Sequence, residues 1–124
     1  MIFVDCGDKW KLLDINDLNV TVAEHSSGLP VRYVQVVTVK SGGASQPVSF
    51  LVCGMENREL VVFQLDLGNE NQSLRVKEVQ NINTDYAVRS MTYEPRQQML
   101  VVGYFGEIVE FYSVSLTNSD ERDQ

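Results

Sequence analysis

Along this chain apolar positions alternate with polar ones or gather in short runs rich in Val, Phe and Tyr, broken by Gly, Asn, Asp and Pro. Helical periodicity is nearly absent, and alternation of this kind is the signature of half-buried β-strands. Ten strands are predicted, near residues 1–7, 10–16, 19–25, 31–40, 47–55, 59–67, 74–81, 87–94, 98–104 and 107–116. The breaks between them have turn chemistry. Ser41-Gly42-Gly43-Ala44-Ser45 reads as a loop tip whose glycines reverse the chain, and Pro95 fixes the first position of a tight turn. Gly68 to Gln72 reads as a polar surface loop, and residues 117–124 as a polar tail or linker with no apolar residue.

Three stretches repeat one pattern: Phe3-Val4-Asp5-Cys6-Gly7, Phe50-Leu51-Val52-Cys53-Gly54 and Met99-Leu100-Val101-Val102-Gly103. Each is an apolar run closed by glycine and followed by a second apolar run, with 47 and 49 residues between successive glycines. A period in the mid-forties is what four short strands and their turns occupy, which points to antiparallel four-stranded blades of a β-propeller. Val31-Arg32-Tyr33-Val34 then matches Val88-Arg89-Ser90-Met91 as innermost strands, and the glycine-closed runs are second strands. Leu60 to Leu67 and Ile108 to Val114 are third strands, with Leu12 to Ile15 as the first copy. Val20-Thr21-Val22 and Leu74 to Val79 are fourth strands. The expected organisation is an all-β incomplete ring over 1–116, with blade parts 1–28, 29–84 and 85–116. Its first blade lacks the innermost strand and its last lacks the fourth. A self-contained β-sandwich acting as a ligand-binding module is the alternative, since ten strands also suffice for two packed sheets.

The strand order over residues 1 to about 116 resembles a divergent WD40-type β-propeller. Leu13-Asp14, Leu65-Asp66 and Tyr112-Ser113 stand near the place where that family carries Trp-Asp, and Glu24-His25 near the place of its Gly-His. The resemblance implies a binding scaffold within a larger protein or multisubunit complex.

Composition narrows the partners. Hydrophobic content of 44%, charged content of 22% and a net charge of -7 describe an acidic globular domain. Phosphate surfaces need clustered Lys and Arg, so neither direct nucleic-acid binding nor an anionic membrane surface is expected. No signal peptide and no apolar run of membrane-spanning length is visible. Cys6 and Cys53 fall at the same place in successive repeats, where stacked sheets hold them about 10 Å apart, too far for a disulfide. Both read as small buried residues, and cytosol or nucleus as the compartment.

Chemistry is sparse. His25 is the single histidine, with no array of ligands around it, so it reads as a residue of a blade-edge loop; neither a metal site nor a cofactor is expected. No nucleophile elbow or phosphate loop is present, and the chain is not expected to be an enzyme. A piece of an enzymatic or sugar-binding propeller remains an alternative, with catalytic groups on other blades. Candidate partner contacts are Tyr104 and Phe105, two aromatics at a turn beside Gly106. Arg32 and Arg89 join them at matching starts of innermost strands, where they pair with neighbouring acids such as Asp85 or receive an acidic peptide. The expected partners are other protein chains or missing blades.

Overall fold

The computed structural model describes residues 2–39, 48–67, 74–116 and 121–123, and forms eleven strands in three antiparallel sheets. The loops expected at Ser41–Ser45 and Gly68–Gln72 lie outside the described residues. Sheet 1 is β1 (Ile2–Asp5), β2 (Lys9–Asp14) and β3 (Asp17–Ser26), in that order. Sheet 2 is β4 (Val31–Val39), β5 (Val48–Met55), β6 (Glu59–Leu67) and β7 (Leu74–Asn83). Sheet 3 is β8 (Val88–Glu94), β9 (Met99–Tyr104), β10 (Ile108–Leu116) and β11 (Glu121–Asp123). Every sheet is a meander of sequential neighbours, and there are three rather than the two of a sandwich.

Sheet 2 lies between the other two, and alternation along β5 shows why. Phe50 and Val52 belong to a core shared with sheet 3, where Val88, Leu100, Val102 and Tyr104 meet them. Leu51, Cys53 and Met55 point the other way, into a core with Trp10 and Leu12 of sheet 1. A strand buried on both faces loses the simple polar–apolar alternation, hence the continuous run Phe50-Leu51-Val52-Cys53. Trp10 fills its core against Phe3, at 5.4 Å between ring centroids, and edge-on to Phe63 at 5.3 Å. Its buried indole N–H has no hydrogen-bond partner among the described residues. That omission costs about 1–3 kcal/mol, which the area buried by so large a ring offsets.

Register makes sheets 2 and 3 superimposable. Gly54 pairs with Tyr33 and Leu60, and Gly103 pairs with Ser90 and Val109. Strands β4 and β8 each carry a bulge at an arginine, between Val31 and Tyr33 and between Val88 and Ser90. Sheets 1 and 2 share a second mark: β3 bulges opposite Leu12/Leu13 and β7 opposite Val62/Phe63.

Three expectations need correction. Gly7 does not close a second strand: it sits in the turn after β1 at φ 98, and pairing of Asp5 with Trp10 matches that of Gly54 with Leu60. The first copy is therefore shifted by two residues, and Cys6 does not match Cys53. Cys6 is exposed and Cys53 buried, both as free thiols. Residues 121–123 are not part of a tail but pair with β10, Val114 opposite Asp123. An outermost strand can be held by backbone hydrogen bonds alone, so no apolar pattern marks it in the sequence.

Candidate protein-interaction face

One end of the stack is built by two loop types that interlock. In sheet 1 the Asp8 carbonyl accepts the amides of Ser27 and Gly28 at 2.9 and 2.8 Å. The loop containing those residues then runs to Pro30, whose carbonyl accepts the Glu56 amide of the next sheet's hairpin at 3.1 Å. The pattern recurs one sheet on. Arg58 accepts the Thr84 amide at 2.9 Å, and Ala87 accepts the Phe105 amide at 3.0 Å. The Thr84 hydroxyl lies 2.8 Å from the carbonyls of both Arg58 and Tyr86. These links hold each β2–β3-type outer strand, loop and following hairpin in one fixed relation, and they set the height of the side chains above them.

Those side chains include three of the residues singled out from sequence. Arg32 reaches the first hairpin residue of its own sheet, Glu56, at 3.9 Å. Arg89, its counterpart, sits over the Phe105 ring at 6.0 Å, and Phe105 is again the first hairpin residue. The expected partner for these arginines was an acid of a neighbouring blade such as Asp85. The bulge at each arginine turns it instead toward its own hairpin. One position thus holds a salt bridge and its repeat holds a cation–π pair. Phe105 is 50% exposed, and Tyr86 beside it is 46% exposed. Tyr86 rests close to the turn, since a Cβ on Gly106 would come within 4.0 Å of its ring.

Tyr104 does not join this face. It is buried, the opposite of its expected exposure, because alternation along β9 sends it toward sheet 2 while Phe105 leaves the strand. Its hydroxyl donates to Glu110 Oε1 at 2.8 Å, the Tyr112 hydroxyl donates to the same oxygen at 2.6 Å, and the two hydroxyls stand 3.0 Å apart. Burial first, and then these hydrogen bonds, hold Tyr104 well above the usual phenol range; Tyr112 is raised by burial and by Glu110. The pair serves as a polar clamp within sheet 3. His25 lies within β3 rather than in a loop, and its ring packs 4.7 Å from Phe63 and 5.8 Å from Trp10.

Sequence reasoning missed a second surface, the outward face of sheet 3. Val109 and Phe111 on β10 are 55% and 66% exposed, with Val101 between them and the innermost strand. Its signal was present in the alternation Val109-Glu110-Phe111, which places two apolar residues on the face opposite the sheet 2 core.

Among the described residues no helix is long and apolar enough to cross a membrane, and no group of three or more His, Cys, Asp or Glu side chains stands together as a metal site. Comparison of the chain with protein-family models, with curated proteins and with solved structures found no match.

Proposed function

We propose that this chain is a non-catalytic protein–protein scaffold, a run of propeller-type blades whose end sheets are covered by other polypeptide. The observation that carries the reading is the outward face of sheet 3. Val109 and Phe111 repeat the positions of Leu60 and Val62, which are buried under the following sheet, yet nothing among the described residues lies over them. Fully covering an exposed Val or Phe side chain is worth about 1.5–3 kcal/mol, so this half-exposed pair adds to association with a covering partner as one part of a larger contact. The Arg89–Phe105–Tyr86 group supplies the second element of the reading, an aromatic and cationic patch of the composition that interface centres favour. Two free thiols fit a reducing compartment, which supports cytosol or nucleus as the place of action.

Light scattering on the purified chain tests this. Concentration-dependent association is expected, reduced by charging the outward face in a Val109→Asp/Phe111→Asp variant. A monodisperse monomer with cooperative melting would sink the scaffold reading in favour of a self-contained ligand-binding module.

A further inference from the structure

Sheet 1 has three strands where sheets 2 and 3 have four, and the strand it lacks is the innermost one. In sheet 3 that place is held by β8, and in sheet 2 by β4. β8 packs on β4: Met91 and Tyr93 lie against the core shared by the two sheets, and the Tyr93 hydroxyl donates to the Thr38 carbonyl at 3.1 Å. The other side of β4 has no such cover among the described residues. Val34 and Val36, which match Met91 and Tyr93 by their pairing with Cys53 and Leu51, are 37% and 50% exposed. In sheet 1 the edge strand β1 holds the place of β5 and β9 by register, so a strand added to its free edge would stand over this apolar shelf; among the described residues β1 has no partner on that side.

We infer that β1 and the Val34–Val36 shelf form a docking site for one extended segment of a partner protein, which adds as the fourth strand of sheet 1. The shelf repeats, on the opposite face of β4 and in the same register, the place where β8 packs between sheets 2 and 3, so the chain's own innermost strands define the occupant. It runs antiparallel to β1, and its backbone completes the ladder along Ile2–Asp5. Its alternate side chains are apolar, because the shelf offers only valine methyls. Opposite Asp5 it carries a cationic or hydroxyl side chain, since Asp5 takes the place held by Gly54 and Gly103 and faces the position of Tyr33 and Ser90. This rests on the blade register of the scaffold reading, not on its assembly through the sheet 3 face, and concerns a different surface from that face.

The test uses the full chain and a synthetic peptide with the sequence of residues 86–96, followed by amide hydrogen exchange. Exchange at residues 2–5 is expected to slow by about tenfold or more at saturating peptide. The slowing is lost in Val36→Asp, an exposed position whose change leaves the fold intact. A peptide with lysine at the place of Ser90 binds more tightly, and Asp5→Asn removes that gain. As a second measurement, the sequence of residues 88–98 is fused ahead of Met1. By count along the chain Met1 then stands where Met99 stands, so the same turn leads into β1. Unchanged exchange at residues 2–5 with both peptide and fusion overturns the inference, as does slowing that persists undiminished in Val36→Asp. Strand capture by a chain that scatters as a monomer leaves this inference standing while the scaffold reading falls.

Discussion

Leu60 and Val109 hold the same place in consecutive sheets, each opposite a glycine one step after a hairpin, yet one is 1% exposed and the other 55%. Val62 and Phe111 repeat the contrast two residues further on. Local sequence does not explain it, because both strands are apolar at these positions and pair in the same register. What differs is the presence of a following sheet. Burial in this architecture is thus a property of position in the stack, and a residue's worth is set by its neighbour sheet rather than by its own strand.

Truncation at the matched positions gives the sharpest test. Leu60→Ala removes a buried side chain and is expected to cost about 2–5 kcal/mol in urea unfolding. Val109→Ala, at an exposed site, stays within about 0.5 kcal/mol. Comparable losses at the two sites would show that the sheet 3 face is already covered in solution. The paired glycines come next. A Cβ on Gly54 would meet the Val88 side chain of sheet 3 at 3.3 Å, whereas one on Gly103 would meet the Ser90 hydroxyl of its own sheet at 3.0 Å and that residue's carbonyl oxygen at 4.0 Å. Valine is branched and rigid and the serine hydroxyl rotates away, so Gly54→Ala is expected to cost about 1–3 kcal/mol. Gly103→Ala should leave the melting temperature nearly unchanged.

Alkaline pH probes the two cores more gently. Burial, with a smaller contribution from Asp5, pushes the Cys53 thiol from its ordinary 9.0 up to about 12. Above pH 9 the unfolded chain releases this proton and the folded chain keeps it, so stability present below pH 9 falls as pH rises toward 12. Tyr104 and Tyr112 act in the same direction above the usual phenol range. In Cys53→Val the decline should become shallower and begin later, which chemical denaturation at stepped pH would record. The smallest effect belongs to the hairpin pairs. Double-mutant cycles for Arg32–Glu56 and Arg89–Phe105 should each give less than about 1 kcal/mol, and added salt should weaken the first more than the second.

The sequence made the all-β class and the strand order of sheets 2 and 3 legible, because Phe50–Gly54 and Met99–Gly103 repeat both composition and spacing. It misplaced the first copy, where Asp5 replaces the glycine within the strand and Gly7 serves a turn. β11 was invisible because an outermost strand imposes no apolar period. The sequence marks Arg32, Arg89 and Phe105 as candidate partner contacts, and in the structure Arg32 lies beside Glu56 and Arg89 over Phe105. Their actual partners depend on backbone bulges that no residue type announces, and the burial of Tyr104 depends on where β9 stops.

The interlocked loops at that end also govern how the chain comes apart. The hairpins of sheets 2 and 3 are each tethered to the loop before them by the same kind of backbone link, so among the described residues these links couple adjacent sheets. Such a chain melts as a short linear array of nearest neighbours. Opening begins at sheet 1 or sheet 3, each released by breaking one set of links, and the doubly tethered sheet 2 is the last to lose protection.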